Sequence, residues 1–184
     1  MADSRHLQPL PSPLEVTLRD GTSVAVRALV PEDRELIAAA FERLSPRSRF
    51  LRFFSPLPRL PKRTLDALMA VDHCRHVALV AIHDETCIGV VRYVVDAHDP
   101  TAADFAITVV DAHQGRGLGR ALTATIARVA FERGVRHFSL DVHTENRVMQ
   151  SLASSLGAQL TLSDGVLSGK LALPLAASVL PAAA

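Results

Sequence analysis

The sequence predicts an α/β fold: one domain whose mixed, mostly antiparallel central sheet of about six to seven strands is flanked by helices. Three observations carry that expectation. Short β-rich runs separated by turn residues occur near both ends and in the middle of the chain. Apolar residues at helical spacing mark other runs, two of which stop at Gly134 and Gly157. The order of the two kinds is hairpin, helices, three strands, helix, strand, helix, strand, which stacks as one sheet with helices packed on it.

Residues 1–13 contain three prolines and few apolar anchors and read as a flexible lead-in to a domain over 14–173. Residues 15–18 and 23–30 flank Asp20-Gly21, a dipeptide that supplies the positive φ of a tight turn, so they predict a hairpin. Pro31 suits a helix start, and Leu36, Ile37, Ala40, Phe41 and Leu44 follow at helical spacing. Further short helices are expected over 46–54 and 62–70. Strands follow over 76–82 and 88–95, joined by Asp84-Glu85-Thr86, and over 105–110. Leu118, Ala121, Leu122, Ile126, Val129 and Ala130 mark a helix; 136–142 is a strand; Met149, Leu152, Ala153 and Leu156 mark a last helix. A closing strand lies within 166–173, and 174–184 is an Ala/Pro-rich tail too short to span a bilayer.

Composition narrows the function classes. The chain of 184 residues has 48% hydrophobic and 21% charged residues and a formal net charge of +1, as in a globular domain without a global field. Nothing in that balance calls for nucleic acid or an anionic membrane, so any anion site must be local. Cys74 and Cys87 match no zinc spacing and read as buried free thiols in a cytoplasmic protein, with no export signal at the start. His73, Cys74 and His76 lie close together without a carboxylate and are read as structural, so no metal site is expected. Arg43, Arg47, Arg49 and Arg52 are read as a solvated helix face.

The local anion site is visible at residues 105–122, FAITVVDAHQGRGLGRAL. A strand ends near Val110, and Gly115, Gly117 and Gly119 alternate before the helix. Alternating glycines let the backbone approach a ligand and turn successive N–H groups toward it. The helix start adds unpaired amides and the positive end of its dipole, so a phosphate or pyrophosphate is the natural occupant, with Arg116 and Arg120 beside it. A dinucleotide loop is excluded because the third glycine comes one residue early. A Walker loop is excluded because no Lys follows these glycines.

The run Gln114, Gly115, Arg116, Gly117, Leu118, Gly119 resembles the Q/R-x-x-G-x-G/A signature of GCN5-related N-acetyltransferases (GNAT). The resemblance implies that these residues and Arg120 hold the pyrophosphate of acetyl-CoA. It implies too that the preceding strand, through Thr108, Val109 and Val110, hydrogen-bonds the pantetheine arm after splaying from its neighbour. Asn146 and Met149 stand in a segment similar to the family's second signature, where Asn contacts the pantetheine. Residues 26–54 and 101–119 look like bacterial protein-lysine acetyltransferases of the Pat type, which act on metabolic enzymes such as acyl-CoA synthetases. That likeness implies acetyl transfer to a protein lysine, with Asp104 as general base where the relatives carry Glu. Coenzyme A brings its own thiol, so direct attack is the simpler path, and Glu145 beside Asn146 is the reserve carboxylate. Many relatives use a Tyr as general acid; Ala153 stands at that position, and Tyr93 is the only tyrosine. A small-amine acetyltransferase and a non-catalytic acyl-CoA sensor are the alternatives.

Overall fold

The computed structural model describes residues 13–176; the expected lead-in and most of the tail lie outside them. Asp20 and Gly21 turn the chain between β1 (Leu14–Thr17) and β2 (Ser23–Ala28), which pair antiparallel with Leu14 opposite Val26. Pro31–Asp33 forms a 3-10 turn whose Asp33 is buried and takes two hydrogen bonds from the Arg27 guanidinium, at 2.6 and 2.7 Å. That bidentate pair fixes the angle at which α1 (Arg34–Glu42) leaves the sheet. α2 (Pro46–Phe53) and α3 (Lys62–Met69) complete the first helical layer.

β3 (His76–His83) and β4 (Thr86–Val95) form the centre of the sheet. Side chains alternate across a strand, and β3 shows it: Val77, Leu79 and Ala81 join one core cluster, Ala78 and Val80 the other. The second cluster is closed by Leu29, Ile37 and Phe41 under α1. The first is closed by α4 (Leu118–Glu132), whose Leu118, Leu122, Ile126 and Ala130 are fully buried on the opposite face. β5 (Ala102–Val109) precedes α4, β6 (His137–His143) follows it, and α5 (Arg147–Ser155) leads to β7 (Gln159–Ser163) and β8 (Val166–Ala172). Sheet order is β1-β2-β3-β4-β5-β6-β8-β7, antiparallel except for β5 with β6. The core extends to Leu173 and Leu175. Among the described residues no helix is long and apolar enough to cross a membrane.

The sheet has eight strands, the addition being β7, an edge strand with a mostly exposed pattern. Its hairpin turns on Asp164-Gly165, with φ of 50° and 81°, the same dipeptide signal as Asp20-Gly21. β7 is seated through a close approach at Gly169 of β8: a Cβ there would overlap the Gln159 carbonyl and crowd Leu160. Gly169→Ala is therefore expected to displace β7 and destabilise the chain by about 1–3 kcal/mol. Thermal unfolding checks this, and an unchanged Tm would show that β7 adjusts freely.

Candidate active site

β5 lies between two neighbours and is fully paired with only one. Against β4 its register runs from Ala103 opposite Val95 to Val109 opposite Gly89. Against β6 it stops at Asp104 opposite Ser139. From Phe105 onward one edge of β5 faces a gap. Main-chain groups of successive residues point to opposite sides of a strand. The Val110 N–H donates to the Ile88 carbonyl at 3.0 Å, toward β4; the Val109 carbonyl accepts from Gln114 Nε2 at 3.0 Å, away from it. By that alternation the N–H groups of Ile107 and Val109 face the gap, those of Ala106, Thr108 and Val110 face β4, and that of Phe105 is spent on β6 at the last register pair, Asp104 with Ser139. Of the three residues expected to bind through this strand, Val109 alone turns its N–H to the gap. Thr108 lines the cleft, and Val110 is buried with its N–H given to β4. Ile107, which also lines the cleft, is the other residue whose N–H turns to the gap. The cleft that opens here measures about 750 Å³ and is walled by β5, β6, α2 and α5.

At the far end of the gap, a 3-10 turn (Asp111–His113) leads into the glycine loop. Gly115 and Gly117 have φ of 76° and 94°, the left-handed region that side chains strain to adopt. Gly117 caps α4 without a side chain, and the first helical bond is the Ala121 N–H to the Gly117 carbonyl. The N–H groups of Leu118, Gly119 and Arg120 thus lie ahead of the helical ladder, where they and the dipole favour an anion. Leu118 is 1% exposed and pins the loop to the core. The Arg116 guanidinium pairs with Asp20 at 3.1 Å, and its carbonyl accepts the Arg19 N–H, so the first hairpin clamps the loop. Arg120 donates to Ser155 Oγ at 2.9 Å and ties α4 to α5. Gln114, Gly115 and Gly119 line the cleft, while Arg116 and Arg120 do not. The groups of this loop that face the cleft are main-chain amides, while the Arg116 and Arg120 guanidiniums meet Asp20 and Ser155.

Two helix starts complete the walls. Ser45 caps α2 by accepting the Ser48 N–H at 3.1 Å. Asp111, just past β5, accepts from the Ser45 N–H and hydroxyl and from the Ser48 hydroxyl, at 3.1, 2.7 and 2.8 Å. Partial burial works against the Asp111 charge, but those hydrogen bonds prevail and hold its carboxyl below the usual value. A depressed folded pKa adds stability that is present above the unfolded value of about 4 and is lost as pH falls through the folded one. Asp111→Asn is accordingly expected to unfold more easily at pH 7, with the difference from wild type vanishing at acid pH in urea titrations. On the opposite wall, Asn146 caps α5, its Oδ1 accepting the Met149 N–H at 3.1 Å. Asn146 and Met149 both line the cleft.

A family described as "Acetyltransferase (GNAT) family" matches residues 35–158, a span holding the gap, the glycine loop and both helix starts. The chain belongs to this family. The GNAT domain of S. lividans PAT superposes with a TM-score of 0.83 at 34% identity, over 88% of this chain and 97% of that one. Acetyltransferase PA5475 of Pseudomonas aeruginosa is 34% identical over 146 residues, 77% of each protein. A cAMP-binding acyltransferase from Mycobacterium smegmatis matches with a TM-score of 0.65 and 29% identity. Its match covers 89% of this chain and 48% of that longer one.

Within this GNAT domain four carboxylates line the cleft: Asp104, Asp111, Asp141 and Glu145. Asp111 serves the α2 cap, Asp141 accepts from Ser168 at 2.7 Å, and Glu145 pairs with Arg47 at 3.7 Å. Asp104 has no hydrogen bond or ion pair among the described residues, and it stands where β5 and β6 part. Sequence reasoning did not single out Asp111 or Asp141, since neither belongs to a signature. Tyr93 is fully buried against Phe138 and does not line the cleft, while Ala153 is buried in the core. Among the described residues no tyrosine reaches the site.

The arginine face is corrected by the structure. Arg43 and Arg47 are exposed. Arg49 lies over the Phe41 ring at 4.4 Å, and its guanidinium bonds the carbonyls of Leu44 and Pro58. Arg52 turns inward.

Proposed function

We propose that this GNAT acetyltransferase transfers acetyl from acetyl-CoA to the side-chain amine of a lysine in a protein. The gap between β5 and β6, continuous with the loop amides, is what supports acetyl-CoA as cosubstrate: the first takes an amide-bearing arm as a further strand, the second a pyrophosphate. The rim supports a protein acceptor. Phe54 and Val148 line the cleft from opposite walls and are 40% and 66% exposed, apolar area of the kind that docks another protein. The likeness to the GNAT domain of S. lividans PAT, over nearly all of that domain, points the same way.

An ammonium cannot attack, and a lysine amine has a pKa of about 10.4, so a base is needed near neutral pH. Asp104, without a protein partner at the head of the gap, takes that proton, through a water because its stem is short. The N–H groups of β5 that face the gap donate to the oxyanion. Coenzyme A leaves as thiolate and is protonated from solvent. Calorimetric titration with acetyl-CoA, then thiol release with an acyl-CoA synthetase and with spermidine, tests the assignment. Release driven by the protein alone supports it, and release driven by spermidine replaces the lysine with a small amine. Binding without release from either leaves an acyl-CoA sensor.

A further inference from the structure

A buried guanidinium without a counter-charge is costly, and this fold sets a buried one, Arg92, and a half-buried one, Arg52, on one cavity. Arg92 of β4 is 8% exposed; its Nη1 donates to the Leu68 carbonyl at 2.8 Å and meets His76 Nε2 at 3.1 Å. His76 Nδ1 lies 2.9 Å from the Ala70 carbonyl, which makes that nitrogen the donor and leaves Nε2 to accept. Burial, then the Arg92 charge, lowers the His76 pKa and keeps the ring neutral. One side of Arg92 is thereby anchored. Arg52 approaches from α2, its guanidinium 5.0 Å from the Phe53 ring centroid, with no hydrogen bond or ion pair among the described residues. Burial, then the Arg52 charge, pushes the Arg92 pKa down to about 10. The two cations oppose each other with no carboxylate between them.

The cavity they line, about 50 Å³, lies between α1, α2 and α3 on one side and β4 and β5 on the other. Its other walls are apolar or main chain, Phe41, Leu44, Leu60 and Val90 among them. It joins the active-site cleft, because Arg52, Phe53, Ala106 and Thr108 line both. Ala106 and Thr108 share a face of β5 with Asp104, at the place where the acyl thioester lies in the reading proposed above. Asp104 stands two residues from Ala106, the partner of Arg92, yet pairs with neither arginine.

Resting on that reading, we propose that this cavity receives the free carboxylate of a short dicarboxylic acyl group, so that the enzyme accepts a donor of the succinyl-CoA kind. The amine is not the occupant, since two guanidiniums repel an ammonium and hold a carboxylate. In the step itself the amine nitrogen bonds to the acyl carbon, and the carbon–sulfur bond breaks. Coenzyme A leaves with that electron pair and takes a proton from solvent, while the proton the amine loses goes to Asp104 through a water. The distal carboxylate passes unchanged into the amide product.

The test compares succinyl-CoA with butyryl-CoA, of equal chain length and without the distal charge, by calorimetric titration of the full chain and by thiol release with one acceptor. Succinyl-CoA is expected to bind at least about tenfold more tightly, as charge-assisted hydrogen bonds imply. Arg52→Gln is expected to bring the ratio of the two affinities to about one. Arg92→Gln does the same if it folds, and Arg52→Gln, which breaks no hydrogen bond, keeps the test open if it does not. Equal affinities in the wild type would overturn the proposal and leave acetyl-CoA transfer standing. Failure to bind acetyl-CoA as well would overturn the functional reading beneath it.

Discussion

Gly119→Glu is expected to abolish acetyl-CoA binding while leaving the fold intact. A Cβ at this position would sit 3.5 Å from Leu152 and 4.0 Å from Ile107, side chains that flank the gap from α5 and β5. The carboxylate would therefore enter the passage between the loop amides and the β5 edge. At an effective dielectric of about 20, two unit charges about 4 Å apart repel by roughly 4 kcal/mol, close to three decades in Kd. The fold tolerates the change because the φ of Gly119 is not positive and an acidic residue suits the first turn of a helix. Gly117 is the poorer choice: its φ of 94° would strain any side chain, and its Cβ would face Arg19. Calorimetry decides the matter, with Gly119→Ala as the uncharged control. An unaltered Kd in Gly119→Glu would remove the pyrophosphate from this loop.

Asp104→Asn is expected to lower kcat/KM by about 10²–10⁴ with acetyl-CoA affinity unchanged, the range for loss of a positioned base. The remaining rate should climb with pH, since the neutral fraction of a lysine amine grows about tenfold per unit below its pKa of roughly 10.4. Wild type should respond less steeply, because its base removes the proton. A pH–rate profile for both proteins separates this from a structural effect, which would move the amplitude and not the slope. If kcat/KM were unchanged, the base would lie elsewhere, and Glu145→Gln would be the next variant. Glu145 starts from a weaker position, exposed and paired with Arg47.

The elements legible in the sequence are those with a local physical signal. Asp20-Gly21 announces its hairpin because few other residues adopt that turn, and α4 announces itself by a long apolar stripe ahead of Gly134. β7 carried such a signal in Asp164-Gly165, yet its edge position leaves the strand exposed and without alternation, so the turn alone marked it. Arg52 shows the converse. Helical spacing tells which residues share a face, not which face meets another layer, and the guanidinium turned inward because α2 packs over β4 and β5.

What the sequence by itself determined is the family and the glycine loop at the start of α4, since a glycine loop's conformation and a helix's unpaired amides arise within a few residues of each other. Only the tertiary structure decided the rest of the site. Three register pairs join β5 to β6 and then cease, which opens the gap, turns the N–H groups of Ile107 and Val109 toward it and leaves Asp104 unpartnered at its head. Such pairing depends on contacts between distant segments, and their strength at each position is set by how the layers on both faces pack, which no local pattern of residues records.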